Sequence, residues 1–167
     1  MELWSPDISA DEDRHKVMIK RDVLVDAKRD NRKVKIKVYY PVFNDEDLRG
    51  CSETFLNALD AQARYGQTKL TVILWSHGLG GSVDGAAFLS RYIASYGYVI
   101  VHVQHHGTDS SLWEGKDGHP WDIIRDTVIP RSATLDRYRD VPFVLDELPN
   151  WVEENPDIGT RADLSTI

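Results

Sequence analysis

A chain of 167 residues, 41% apolar and 28% charged, has the length of one ordinary domain and enough apolar side chains for a packed core. Its net charge of -7, with basic residues such as Lys33, Lys35 and Lys37 alternating rather than clustering, argues against nucleic acid or an anionic membrane as partner. The acidic start MELWSPDISADEDRHK has no apolar h-region, and no run approaches the roughly 18 residues of a spanning helix. A cytoplasmic protein without a membrane span is expected, with residues 1–15 as a flexible start. The single cysteine, Cys51, excludes an intramolecular disulfide and fits that compartment.

In chain order, 16–25 and 32–42 are β-rich runs separated by the turn-forming DAKRDN, which predicts an antiparallel hairpin at a sheet edge. Val34, Ile36, Val38 and Tyr40 alternate with the three lysines, so one face is expected against the core and the other in water. Residues 44–69 read as a polar connection with a short helix over 54–65. The runs 71–75 and 98–103 are continuously apolar and of strand length, as in a parallel sheet buried on both faces. Between them Ala86, Leu89, Ile93 and Tyr96 recur at helical steps, with Ser82 as the expected N-cap and Gly97 just past the C-terminus. Strand, helix, strand in this span is a βαβ unit. A long loop is expected up to about Asp122. A helix follows over 135–148, with Val141, Val144, Leu145 and Leu148 on one stripe, Pro142 kinking it or opening its first turn, and Pro149 ending it or starting another short one. The tail NPDIGTRADLSTI reads as a loop leading into a new strand.

The stretch VILWSHGLGGS, residues 72–82, places a His-Gly pair and further glycines at the C-terminal end of a parallel strand, where α/β folds bind ligands. Glycine there lets backbone approach a substrate closely. A plain connecting turn is an equal reading. Nucleotide binding falls below both, because neither a G-x-G-x-x-G frame nor a G-K-[ST] sequence is present.

Together, VILWSHGLGGS, the helix after it, RYIASYGYVIVHVQHHGTDSS and RYRDVPFVLDEL resemble the N-terminal half of an α/β-hydrolase, in the branch of dienelactone hydrolase-like and platelet-activating-factor acetylhydrolase-like esterases. The resemblance covers about 32–167. It implies an edge hairpin, parallel βαβ units with flanking helices, and a single but incomplete domain over 1–167. It also implies that His77, Gly78, Leu79 and Gly80 form the oxyanion-hole loop: Leu79 N–H donates, the glycines shape the backbone and His77 buttresses it. One fixed donor of this kind contributes roughly 2.7 to 4 kcal/mol. The nucleophile elbow, G-x-S-x-G or G-x-C-x-G, occurs nowhere, so nucleophile, acid and histidine are all expected after Ile167. Ser76 in LWSHG is a poor elbow, because Leu74 stands where a small residue is needed and the wrong loop follows.

A second concentration of chemistry lies in VHVQHHGTDSSLWEGKDGHPWD. The resemblance implies that the loop after its strand lines the substrate pocket, with His105, His106, Gly107 and Asp109 shaping it and Trp113 and Trp121 as apolar walls. A purely structural loop is the bland alternative. His102, His105, His106, Asp109 and His119 suggest a metal site, yet His102 and His105 should point to opposite faces of the chain, and no ligand set is assigned. Asp122/Asp126 and Asp136/Asp140 are helically spaced with Arg125, Arg137 and Arg139 interleaved, which reads as a solvated, salt-bridged face.

Three functions follow. The first is the oxyanion-bearing portion of an ester hydrolase acting on a small-molecule ester, needing no cofactor and inactive alone. The second is a non-catalytic protein that binds a ligand or self-associates through an exposed sheet edge. The third is a metal-dependent hydrolase built on the histidine loop.

Overall fold

The computed structural model describes residues 16–42, 70–128, 131–159, 162–165 and 167. The helix expected over 54–65, Cys51 and the N-terminal 1–15 lie outside the described residues. Strands β1 (Lys16–Asp26) and β2 (Arg32–Val42) pair antiparallel from Lys16↔Val42 to Asp26↔Arg32. Their turn is a short 3-10 segment, Ala27–Arg29, whose first amides are met by the Asp26 carboxylate accepting from Lys28 N at 3.0 Å. Asp30 and Asn31 then close it at φ of 52° and 55°, the left-handed region that these two residue types tolerate best after glycine.

β3 (Leu70–Ser76), helix α1 (Ala87–Ser95) and β4 (Val99–Val103) form the expected βαβ unit, with β3 parallel to β4. Helix α2 (Pro120–Val128), the long α3 (Ser132–Glu154), the single turn α4 (Pro156–Gly159) and the two-residue β5 (Ala162–Asp163) complete the described chain. The sheet order is β1-β2-β4-β3-β5, with β2 and β4 antiparallel and β5 parallel to β3. The architecture is a partial α/β sheet with its hairpin at one edge, as expected.

Strand alternation assigns each face a helix. Val34, Ile36, Val38, Val72, Val101 and Val103 face α3, where Val144, Leu148 and Trp151 are buried. Tyr39 and Ile100 face α1 and pack on Ala94. The buried side of α1 is Ser90 and Ala94, with Ala87 and Ile93 beside them, whereas Tyr96 of the expected stripe is largely exposed. Small residues win because they let the helix backbone come close to the sheet. Lys33 and Lys35 reach water, but Lys37 does not. With α1 over that face, Lys37 Nζ lies 4.8 Å from the Tyr39 ring centroid and pairs with Asp84 at 2.6 Å.

Other boundaries also move. Ser82 is not the N-cap of α1; the helix begins five residues later, and Ser82 instead accepts from Asp84 N and Gly85 N in a local turn. Gly97 does sit past the helix end, at φ 94°, donating to Ala94 O. The long loop contains a 3-10 turn, Ser110–Leu112, and ends at α2. Pro149 does not end α3, which runs through both prolines to Glu154. Both prolines are exposed, and burial of Trp151 and Val152 beyond Pro149 outweighs the lost backbone bond. No helix among the described residues is long and apolar enough to cross a membrane.

His102 on β4 is fully buried between α1 and the sheet, its ring stacked on Trp75 at 5.7 Å. Nδ1–H donates to Val83 O at 2.9 Å, which leaves Nε2 to accept from Ser90 Oγ at 2.7 Å. Burial pushes its pKa down to about 4 from an ordinary 6.5. The unfolded chain therefore takes up this proton first, so the stability is complete above about pH 6.5 and drains away as pH falls toward 4. Between neutral pH and about pH 5 the loss from this residue should be ~2 kcal/mol. Urea unfolding at both pH values should show that step reduced in His102→Gln; an unchanged step would place the acid sensitivity elsewhere.

Candidate active site

At the C-terminal end of β3 the chain turns through 77–81, where His77, Gly80 and Gly81 make hydrogen bonds within the loop and to the loop after β4. His77 is buried. Its Nε2 accepts from His105 N at 3.1 Å, which obliges Nδ1 to carry the proton and donate to Gly78 O at 2.7 Å. Burial holds the His77 pKa below its ordinary value, consistent with a neutral ring that accepts at one nitrogen and donates at the other. Gly81 N donates to Gly78 O at 3.0 Å and Gly80 N to Thr108 O at 2.8 Å. Leu79 N, just before them, makes no hydrogen bond among the described residues, and the Leu79 side chain is exposed.

Gly80 is a required glycine. Its φ is 73°, and an added Cβ would lie 2.5 Å from Trp113 Nε1, whose N–H donates to Gly80 O at 3.4 Å. Gly78 differs, because among the described residues nothing lies within 4 Å of where its Cβ would be.

The loop after β4 braces the first one. Gln104 N extends the sheet by donating to Lys35 O, and its side chain donates to Asp109 at 2.6 Å. Asp109 is buried; desolvation raises its pKa, but hydrogen bonds from Ser111 and Gln104 outweigh that and hold it below the ordinary range. Gly107 turns at φ 92°. His106 is exposed and, with Gln104, Asp109, Arg29, Arg32 and Lys35, lines an open cavity of about 460 Å³ on the hairpin side. Trp113 is 40% exposed over Gly80, while Trp121 stands outside on α2. Thus His77, Gly80, His105 and Trp113 come together, with Asp109 beside them, and His106 lines the hairpin-side cavity that Asp109 also reaches.

His105 is fully buried on the α3 side, opposite to His102, as the period of two requires. Among the described residues no three His, Cys, Asp or Glu side chains converge as a metal-ligand set. The partner of His105 is Asp140. Its carboxylate accepts from His105 Nδ1 at 3.1 Å, from Arg29 Nη1 at 2.8 Å, and from Arg32 Nε and Nη2 at 2.9 and 3.0 Å. Burial raises the Asp140 pKa, but these donors outweigh it and hold the group at about 2. Asp140 is therefore no part of a solvated face, whereas Asp122, Arg125 and Asp126 on α2 are one. Spacing could not show this, since both arginines come from the hairpin more than a hundred residues earlier.

With Asp140 holding Nδ1–H, His105 Nε2 is an acceptor, and Ser76 Oγ lies 2.9 Å from it. Arg137 also donates to Ser76 Oγ, at 3.2 Å, and to His77 O. Ser76 itself is exposed at the end of β3.

No family model matches the chain, and no curated protein matches it. Among solved structures it is similar to the ferulic acid esterase from Streptomyces cinnamoneus, at 21% identity and a TM-score of 0.51. The likeness is one of fold. The match covers 84% of this chain and 48% of the esterase, so the chain spans about half the length of that structure.

Replacing Asp140 by Asn leaves two partly buried guanidinium groups short of their counter-charge, which should cost roughly 3 to 5 kcal/mol. A thermal melt should register Asp140→Asn as a loss of many degrees, and a change of under about 1 kcal/mol would show that the network carries little. In the loop, Gly80→Ala should destabilise by about 1 to 3 kcal/mol and Gly78→Ala by much less, because only Gly80 has the left-handed backbone.

Proposed function

We propose that this chain supplies the oxyanion-hole wall of a carboxylic-ester hydrolase, with Leu79 N–H as donor, Gly78 and Gly80 shaping the loop and His77 bracing it. The Leu79 amide carries this reading: among the described residues it has no partner and open space lies over Gly78, while the next two N–H groups are consumed. A donor fixed in this way needs no reorganisation when negative charge develops on a carbonyl oxygen. Trp113, Asp109 and Gly107 line the pocket for a small-molecule ester, with His105 behind them and His106 on its hairpin side, and ester cleavage of this type needs no cofactor.

The esterase-like fold supports the reading, and so does the sheet. Among the described residues β5 pairs with β3 at Leu70↔Ala162 and Thr71↔Asp163 only. A strand continuing that register would run along β3 toward Ser76 and deliver its end beside the 77–81 loop. The elbow motif is not in these 167 residues, so the chain alone should turn over no ester at an enzymatic rate. The same edge of β3, uncovered among the described residues beyond Thr71, favours a second reading, in which copies of the chain pair through it.

Sequencing the coding frame beyond the Ile167 codon should reveal a G-x-S-x-G or G-x-C-x-G within about ten codons; its absence from all three frames would overturn the hydrolase assignment. In a chain that carries the elbow, Leu79→Pro, which removes the N–H, should lower kcat by about 10² to 10³ and leave KM nearly unchanged.

A further inference from the structure

Ser76, His105 and Asp140 form a continuous hydrogen-bonded array that the oxyanion reading does not use. A hydroxyl is activated as a nucleophile when a base accepts its proton and a third group fixes the base's tautomer and orientation. All three conditions hold here, at 2.9 Å for Ser76 Oγ to His105 Nε2 and 3.1 Å for His105 Nδ1 to Asp140 Oδ2. Asp140 is held as a carboxylate by Arg29 and Arg32, so it stabilises an imidazolium without itself taking the proton. Ser76 is the one member of the array exposed to solvent.

We propose that Ser76 is a nucleophile served by His105 and Asp140, which takes one acyl group from an activated aryl ester and retains it. The proposal goes beyond the oxyanion reading and does not rest on it. With p-nitrophenyl acetate, Ser76 Oγ attacks the carbonyl carbon, the Oγ–C bond forms and the C–O bond to the aryl group breaks. The hydroxyl proton passes to His105 Nε2, and p-nitrophenolate leaves with the bonding electron pair and needs no proton. Arg137, donating to Ser76 Oγ at 3.2 Å, places a cation where negative charge gathers.

Retention follows from burial. The His105 ring is fully buried and its Nε2 is covered by Ser76, so after acylation no water has a direct path to the base. The acyl group then stays, because deacylation needs that base to activate a water.

The test is incubation of the chain with p-nitrophenyl acetate near neutral pH, followed by release of p-nitrophenolate, intact-mass spectrometry and peptide mapping. The expected result is a burst of about one p-nitrophenolate per chain with no continuing turnover, and the acetyl group on Ser76. His105→Gln should slow the burst by about a hundredfold or more. Ser76→Ala, which leaves the buried His105 Nε2 without its hydroxyl, should melt somewhat below the parent, remain folded and lose the burst. A fluorophosphonate, whose fluoride departs as the Oγ–P bond forms, should label the same residue. Acetylation confined to lysines, continuous turnover, or an unchanged burst in Ser76→Ala overturns the proposal. None of these results bears on Leu79, so the oxyanion assignment is tested separately.

Discussion

The buried carboxylate of Asp140 is the constraint on which the rest of the site depends. A carboxylate at 0% exposure is costly to bury unless its lone pairs are met, and here four donors from three segments meet them. Those segments are the β1–β2 turn, β2 and the loop after β4. Asp140 stands four residues before Val144 and eight before Leu148, so the charge and the apolar anchors lie on one face of α3. The helix can therefore meet the sheet in one rotation only. The same bond that satisfies Asp140 fixes the His105 tautomer, and His105 in turn reaches Ser76 by its side chain and His77 by its backbone. A contact made at the hairpin thus sets the geometry of a loop at the far end of β3.

Neutral imidazoles are what let this arrangement stay buried. His77 and His102 each donate to a carbonyl through Nδ1 and accept at Nε2. Charging either ring would put a proton where an acceptor is needed and a cation where water is excluded. Burial lowers both pKa values, so the loop keeps its hydrogen-bond pattern at neutral pH. The pattern leaves Leu79 N–H as the amide in 79–81 with no partner among the described residues. Trp113 over Gly80 fixes the turn from outside, and any Cβ at Gly80 would displace it.

The backbone elements were legible in the sequence wherever the side-chain period was clean. The 16–42 hairpin, the apolar β3 and β4 and the Gly97 terminus all follow from local pattern, and the structure has them. What failed was whatever depended on a distant partner. Lys37 looks like its neighbours Lys33 and Lys35 until α1 arrives with Asp84. Asp140 looks like one member of a helical charge pair until the hairpin arginines close on it. Ser82 has the chemistry of an N-cap, but a local turn spends it first. Pro149 terminates a helix by propensity, and tertiary burial of Trp151 and Val152 overrides that. Ser76 was visible as a residue and unreadable as a site, because its base is 29 positions away and its orienting acid 64.

The edge of the sheet joins fold to chemistry. β5 covers β3 only at Leu70 and Thr71, so five further residues of β3 have no strand on their outer side among the described residues. Unpaired N–H and C=O groups along a central parallel strand are a standing cost, which a neighbouring strand removes. Parallel pairing in the β5 direction carries that neighbour's C-terminal end toward Ser76 and the 77–81 loop. A strand added to that edge in the β5 direction would therefore satisfy the backbone of β3 and end beside Leu79 N–H and Ser76 Oγ.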